Sequence, residues 1–529
     1  MISSFMGLET AKRGLSTSQG ALYTTGNNVS NANTVGYSRQ RVNLQQTSGF
    51  PTVGMNSPLV AGQIGTGVEA ETVQRIRDSF LDAQYRTQSN KIGYYGAMSE
   101  SLSKMEGIMN EPTDSGLAAT MEKFWNSLQG LTANTENSGA REVVASTGVM
   151  VADTLNYYYN SLTSVKTDIG NQINVKANEI NTIIDSIDQL NQQISKVEPH
   201  GYIPNDLYDK RDVLVDNLSQ LVSINVKSVK PSAYGIASDV ATGLYNIELM
   251  NKDGSSYVPP INLVSVNKTG MLGTAKVEVS YDDTSGAVDG VKFGSKTMTD
   301  FNFSGELAGL IESFGYKKSD GTTGGTFPDM LQKLDNMTKA FVNEFNAIHK
   351  GGYVLKGNNT TEATGSDFFV LGDGTKNAAQ TIKVSNDILA DSSKIAAGKK
   401  SGASGDNENA KLLADLKKKA FSDYETFKTS TGIDDLKKMK LTGSFDTYYS
   451  GIIGNLGVDS QSAQKNLSNS SVLAASVDQN RASVSSVSLD EEMTDMIKFQ
   501  QAYNASARMV TMVDEMLDKI INGMGTVGR

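Results

Sequence analysis

The residues that could carry out chemistry in this chain are few in kind. No cysteine occurs among the 529 residues, which excludes a disulfide, a thiolate metal site and a cysteine nucleophile. The two histidines, His200 and His349, lie far apart in the sequence, and neither stands in a metal-ligand or nucleophile motif. We interpret both as structural residues, His349 on an apolar-periodic helix and His200 in a turn. We therefore expect no metal and no cofactor.

Carboxylates are plentiful, and one cluster of them could be compared with a catalytic pair. It consists of Asp490, Glu491 and Glu492. Ser488 and Glu491 have the spacing of a helix capping box, and acidic residues in a first turn interact favourably with the helix dipole. We interpret the cluster as the start of a helix. The glycines form no GxxxxGK[ST], GxGxxG or GxSxG motif, so the sequence predicts no catalytic residues.

Charge and hydropathy narrow the class of protein further. A formal charge of −10 has the wrong sign for a protein that binds nucleic acid. No stretch of about 18 consecutive apolar residues occurs, so we expect no membrane insertion. The first thirty residues lack the basic start, apolar run and cleavage site of a secretory signal. Taken alone, these features predict a protein that stays in the cytoplasm.

The two ends of the chain have the patterns of helices with one apolar stripe. The N-terminal stripe has a seven-residue spacing and consists of Leu8, Leu15, Leu22 and Val29. The C-terminal ladder consists of Leu489, Met493, Met496, Tyr503, Ala507, Val510, Leu517 and Ile521, interrupted by Gln500 and Asp514. Residues 1–50 carry four basic side chains against one acidic, whereas residues 489–529 carry four against seven. Narrow stripes and opposite charge predict that the ends pair as a coiled coil.

The pattern between the ends predicts a multidomain α+β fold. We expect an elongated helical bundle and coiled-coil body built from both chain ends, with inserted β-rich domains. A long helix is predicted over 139–197, and short Val/Ile/Tyr runs with turn pairs predict strands from about 226. The predicted domains are a terminal coiled-coil assembly region (1–60 and 489–529), a helical rod-like core (61–225, 305–350 and 405–488), an inserted β domain (226–304) and a small Gly/Ser/Thr-rich insertion (351–404).

A resemblance to a known family rests on both ends. Residues 27–40 read Asn-Asn-Val-Ser-Asn-Ala-Asn-Thr-Val-Gly-Tyr-Ser-Arg-Gln and resemble the N-terminal signature of the flagellar rod, hook and hook-associated proteins. Gly36 suits the helix end there, because glycine accepts a positive φ. Hook and rod proteins usually continue with Gly-Phe-Lys, whereas Gly-Tyr-Ser-Arg-Gln is similar to the hook-associated family of the hook–filament junction. Residues 488–517 are similar to the same family.

The resemblance implies a structural component of the bacterial flagellum, not an enzyme, that polymerises as the junction adaptor between hook and filament. The implied partners are further copies of the chain, the hook protein, the next hook-associated junction protein and a flagellar export chaperone that binds the C-terminal helix. The implied location is extracellular, in the flagellum, after export by the flagellar type III apparatus without a cleaved signal peptide. The predicted assembly interface comprises Leu8, Leu15, Leu22, Val29, Asn31, Asn33, Gly36, Tyr37, Leu489, Met493, Met496, Tyr503, Val510, Leu517 and Ile521.

Two alternatives stay open. One is a hook or rod protein of the same superfamily, against which the run from Tyr37 to Gln40 argues. The other is a secreted hydrolase with its site in the insertion at 226–304. Such an enzyme would need a pair of buried, convergent carboxylates there.

Overall fold

Long helices at both ends and small sheets between them give a multidomain α+β fold, as the sequence predicts. The computed structural model describes residues 5–51, 62–109, 111, 113–114, 116–356, 362–372, 377–428 and 430–523. The helices are α1 (Phe5–Ser30), α2 (Ser79–Met109), α3 (Leu117–Ala133), α4 (Ser138–Val197), α5 (Asn205–Leu221), α6 (Glu306–Phe314), α7 (Thr326–Lys350), α8 (Ala378–Thr381), α9 (Asn386–Ala390), α10 (Glu408–Asp415), α11 (Ser430–Met439), α12 (Phe445–Ser485) and α13 (Leu489–Gly523).

Thirteen strands in the described residues form four small sheets. They are β1 (Gln40–Gln46), β2 (Val68–Arg75), β3 (Ile224–Val229), β4 (Leu244–Leu249), β5 (Asn262–Asn267), β6 (Gly270–Thr274), β7 (Val277–Tyr281), β8 (Val288–Phe293), β9 (Lys296–Met298), β10 (Tyr316–Lys317), β11 (Thr323–Gly324), β12 (Phe369–Val370) and β13 (Lys383–Val384). β1 and β2 pair with each other, as do β12 and β13.

The helical body is organised around α4, which runs unbroken for 60 residues. Its observed bounds confirm the helix predicted over 139–197. The predicted isoleucine row is buried, including Ile173, Ile180 and Ile187. At its start the Asn137 side chain accepts a hydrogen bond from the backbone N–H of Ala140, which satisfies one free donor of the first turn.

Two further long helices, α2 and α12, run antiparallel along the body. Near one end Ser460 donates a hydrogen bond to Glu106 at 2.9 Å. Near the other end Arg481 lies 3.6 Å from Asp82. These two contacts fix the relative register of the helices, so α12 carries the chain along the body towards α13.

An aromatic core lies where α3, α7 and β12 meet. Its fully buried rings include Phe124, Trp125, Phe341 and Phe345, and the ring centroids of Phe124 and Phe345 are 5.6 Å apart. Rings at such separations interact favourably beyond the area that they bury. The chain contains one tryptophan, so Trp125 reports on this core alone.

His349 closes one side of the aromatic core and is structural, as predicted. It is fully buried; its Nδ1–H donates to the Ser366 carbonyl at 2.6 Å, and its Nε2 accepts from the Ala396 N–H at 2.9 Å. Burial lowers the pKa of His349 to about 4. His200 is exposed on a short turn after α4, with Nδ1 3.0 Å from the Lys196 carbonyl.

The β insertion consists of two sheets packed beside α4. One has the strand order β3-β4-β5-β6, and the other has the order β11-β10-β8-β7 with β9 paired to β8. Asn181 of α4 accepts from the Val277 N–H at 2.7 Å and donates to the Val277 carbonyl at 2.9 Å. This reciprocal pair anchors the second sheet to the helical body.

Candidate assembly surface at the paired chain ends

The first and last long helices of the chain, α1 and α13, pack against each other antiparallel. A Cβ built on Gly7 would lie 3.7 Å from Val513, and one on Gly14 would lie 2.9 Å from Ser506. At the other end, the Asn28 side chain donates a hydrogen bond to Glu492 at 3.0 Å. The two residue numbers add to the same value in all three pairs, so the helices keep one register over roughly six turns.

Small side chains make up the buried face of α1. Its buried residues are Ala11, Thr17, Ser18, Ala21, Thr24, Thr25 and Asn28. The predicted stripe of Leu8, Leu15, Leu22 and Val29 lies along the border of this face and is half-buried. Small residues allow α13 and the β1–β2 hairpin to approach the helix closely; Thr17 donates to the Val68 carbonyl at 3.2 Å. The contact within the chain is therefore centred on small residues, and the leucines flank it.

The covered face of α13 differs in part from the predicted ladder. One predicted row is half-buried and consists of Met496, Tyr503, Val510 and Leu517. The second covered row lies one residue away from the predicted one and consists of Glu492, Phe499, Ser506 and Val513. Leu489, Met493 and Ile521 are consequently exposed in the single chain. The shift places the polar Gln500 and Asp514 in solvent and brings Glu492 to the turn that follows α1.

Asn28 organises that turn and has every hydrogen-bonding position filled. Its Nδ2 donates to the Gln40 carbonyl at 2.8 Å and to Glu492. Its Oδ1 accepts from the Tyr37 hydroxyl at 2.8 Å and from the Gln40 N–H at 3.0 Å. Burial, followed by the charge of Asp209, raises the pKa of Tyr37, so the hydroxyl remains a donor to Asn28. This network explains why an asparagine stands at the end of α1.

The other predicted residues of the turn have different roles. Asn31 donates to the Asn27 carbonyl at 3.0 Å and to its side-chain oxygen at 2.9 Å, which continues the helix end locally. Asn33 is exposed. Gly36 has a φ of +82°, and a Cβ there would lie 2.2 Å from Val213 of α5. The predicted need for glycine is confirmed, and the structure adds a steric reason.

Arg39 joins the turn to the first residues of α13. Its Nε donates to Glu492 at 2.7 Å, its guanidinium also contacts Glu491, and Asp495 lies 3.8 Å away. Its backbone N–H donates to the Ser485 carbonyl at the end of α12 at 2.8 Å. Burial opposes the charged form, but the hydrogen bond and charge of Glu492 outweigh it and raise the pKa of Arg39. The acidic first turn of α13 therefore binds the Arg39 guanidinium, in addition to interacting favourably with the helix dipole.

An arginine–aspartate cluster connects the paired ends to the body. It comprises Arg75, Arg77, Arg86 and Arg481 with Asp82, Asp209, Asp212 and Asp216. Asp212 lies 2.9 Å from Arg75 and 3.2 Å from Arg77. Burial would raise the pKa of Asp212, but the surrounding arginines lower it far below its usual range. The cluster joins β2, α2, α5 and α12, so it connects the hairpin beside the paired ends to the helical body.

Three models of known protein families match this chain, one over its middle and one at each end. A family model described as the flagellar hook-associated protein FlgK helical domain matches residues 102–369. Models described as flagella basal body rod protein and as flagellar basal body rod FlgEFG protein C-terminal match residues 8–37 and 478–523. The chain is 44% identical to flagellar hook-associated protein 1 of Bacillus subtilis (strain 168), over 100% of both chains. It belongs to the FlgK family.

The sequences of other FlgK relatives match nearly the whole chain. Flagellar hook-associated protein 1 of Escherichia coli (strain K12) is 26% identical, and the match covers 97% of this chain and 99% of that protein. A solved structure of the flagellar hook junction protein FlgK from Burkholderia pseudomallei has a similar fold, with a TM-score of 0.52 at 14% identity. That match covers 77% of this chain and 100% of the solved one. This FlgK chain is thus a structural component of the bacterial flagellum.

Sequence reasoning identified both rod-type segments but missed what fastens them. The matched segments 8–37 and 478–523 contain most of α1 and all of α13, which Asn28, Arg39 and Glu492 hold together. The opposite net charges of the two ends were the available signal. Within the part of this FlgK chain that the structure describes, no helix has the length and apolarity needed to cross a membrane.

Proposed function

We propose that the chain polymerises as the junction adaptor between hook and filament, with the paired ends as the innermost layer of a tubular assembly. The observation that supports this most is that two rod-type segments from opposite ends fold into one antiparallel unit, locked by Arg39 and Glu492. The helical body would form the next layer and the β insertions the outside. Heterologous contacts between copies would generate the helical ring.

The surface left open by the pairing suits contacts between subunits. Met509, Met512, Met516 and Ile520 follow one another at spacings of three, four and four residues on α13, and each is about half exposed. Leu489, Met493 and Ile521 are also exposed, near the two ends of the helix and outside this row. Apolar groups repeated along one helix face are stabilised when a neighbouring copy covers them. This row supports α13 as a contact between copies, although among the predicted α13 residues only Leu489, Met493 and Ile521 are exposed for such contacts.

The proposed partners are the hook protein on one side and the next hook-associated junction protein on the other. Before assembly, an export chaperone would cover the C-terminal helix, and the flagellar type III apparatus would export the chain without a cleaved signal peptide. Methionine side chains are flexible and polarizable, so one surface on α13 can bind two partners in succession.

The role in assembly requires no catalysis, and we propose that the chain is not an enzyme. Within 226–304, Glu248 is the one buried carboxylate, and its Oε1 accepts from Lys227 at 2.7 Å. The convergent buried pair that a hydrolase would need in this insertion is thus not formed by its residues.

Deletion of the gene tests the proposal. Electron microscopy of the deletion strain should show completed hooks without attached filaments, and the intact chain supplied in trans should restore filaments. A strain that lacks hooks altogether would favour the hook or rod alternative. Hooks with ordinary filaments would contradict the proposal.

A further inference from the structure

A basic cleft of about 1210 Å³ lies in the helical body, between α7, α12 and the β10–β11 hairpin. Six lysines and two aspartates line it: Lys166, Lys318, Lys333, Lys339, Lys438 and Lys440, with Asp329 and Asp335. The chain as a whole has a formal charge of −10, so the cleft concentrates charge of the opposite sign. A concave surface lined by one sign of charge attracts ligands of the other sign.

Most of these lysines are not neutralised by a neighbour. Among the described residues, Lys318, Lys333, Lys339 and Lys440 form no ion pair, and the partner of Lys438 is 4.0 Å away at Asp435. Lys166 lies 5.0 Å from the centroid of the Phe314 ring. Of the two aspartates, Asp335 already accepts a hydrogen bond from the Ala379 N–H at 3.1 Å. The free charge of the cleft is therefore positive.

The cleft also presents apolar and aromatic side chains. Leu331, Met439, Tyr448 and Ile452 line it together with the lysines. A chain of phosphate groups would use the positive charge and leave these side chains uncovered. A polypeptide in which carboxylates alternate with apolar or aromatic side chains would use both kinds of surface.

We propose that this cleft binds an acidic polypeptide segment of another protein, with carboxylates alternating with apolar or aromatic side chains. Past Lys318 and Lys333 the cleft continues into a smaller one that is also lined by Glu312 and Asp459. The positive charge is thus greatest at the end formed by Lys339 and Lys440, and the bound carboxylates lie there. This site is separate from the paired ends and from the junction role proposed above.

Fluorescence anisotropy on the purified full-length chain tests the proposal, with a labelled peptide of alternating glutamate and tyrosine as the probe. The K339E/K440E variant should bind this peptide about tenfold more weakly or worse, because two attractions become repulsions. K411E/K465E is the matched control, since both lysines are exposed on helices and form no ion pair among the described residues. It should bind like the unchanged chain. Circular dichroism checks the folding of each variant, and the K339Q/K440Q variant should be intermediate.

Each other outcome overturns the proposal. Equal weakening in K339E/K440E and K411E/K465E would show that the peptide responds to overall charge and not to the cleft. Equal affinity for a peptide of alternating glutamate and serine, or for inorganic polyphosphate, would show that the apolar lining takes no part. Absence of binding by the unchanged chain at low salt would leave the cleft without this function.

Discussion

At the residue scale, Arg39 connects three separate pieces of the chain. It joins the turn after α1 to the end of α12 through its backbone and to the start of α13 through its guanidinium. The Glu492 side chain is 3% exposed, so it depends on these hydrogen bonds for the compensation that water cannot give. One arginine therefore stabilises the unit on which the proposed assembly rests.

Replacing Arg39 with methionine should destabilise the first turns of α13 by about 2 to 3 kcal/mol, because the buried Glu492 carboxylate loses its charged hydrogen bond. Hydrogen exchange of residues 489–500 would measure the effect. Arg13→Met is the matched control, because its pair with Glu9 is exposed and should be worth at most about 0.5 kcal/mol. Equal exchange rates in the two variants would contradict a structural role for Arg39.

Gly36 allows a second test with a matched glycine. Gly36 and Gly254 have φ values of +82° and +84°, but a Cβ on Gly254 would meet nothing within 4 Å. Gly254→Ala should cost about 1 kcal/mol from backbone strain alone. Gly36→Ala should cost about 1 to 3 kcal/mol more, because its Cβ would overlap Val213. Urea denaturation measures both, and equal costs would mean that the turn can move away from α5.

At the element scale, long elements with a strong period were predictable and the contacts between them were not. The isoleucine rows predicted the bounds of α4 nearly to the residue, and the turn pairs predicted the β insertion. The small buried face of α1 has no apolar period, so the stripe of leucines dominated the prediction. Asn28 and Glu492 are 464 positions apart. The opposite charges of the two ends predict that the ends pair, but they do not predict which residues meet. That is also why the second row of α13 was displaced by one residue.

The aromatic core around α7 should weaken in mild acid because of His349. In the unfolded chain the His349 side chain binds a proton near pH 6.5. In the folded chain burial lowers the pKa of His349 to about 4. The contribution of neutral His349 to the free energy of unfolding is fully present above pH 6.5. It is lost as the pH falls towards 4, and the total loss is about 3 kcal/mol. Trp125 fluorescence during urea denaturation at several pH values would follow this loss.

A matched pair of variants separates this effect from the titration of carboxylates. His349→Gln should flatten the dependence of stability on pH between 6.5 and 4, although it also destabilises the core at neutral pH. His200→Gln is the control for the loss of a histidine, because His200 lies on the surface and outside the aromatic core. If the His349→Gln variant lost stability as steeply between pH 6.5 and 4, His349 would not be the cause of that loss.

At the scale of the whole molecule, the paired ends have less apolar contact than the body. The buried face of α1 is mostly Ala, Ser and Thr, whereas the body buries large aromatic and aliphatic side chains. Less apolar area buried means a smaller free energy of local unfolding. We therefore expect residues 5–30 of the isolated chain to exchange amide hydrogens much faster than α4, and to become protected on assembly. Strong protection in the isolated chain would contradict this.

The central claim is that the ends of the chain, once paired, build the hook–filament junction through the outward face of α13. The most direct test is electron microscopy of a deletion strain supplied with the M512D/M516D variant, whose charges would occupy that face. Val258→Asp is the control, because Val258 is 93% exposed in the β insertion. We predict bare hooks with M512D/M516D and normal filaments with V258D. Filaments of normal number and length with M512D/M516D would contradict the account.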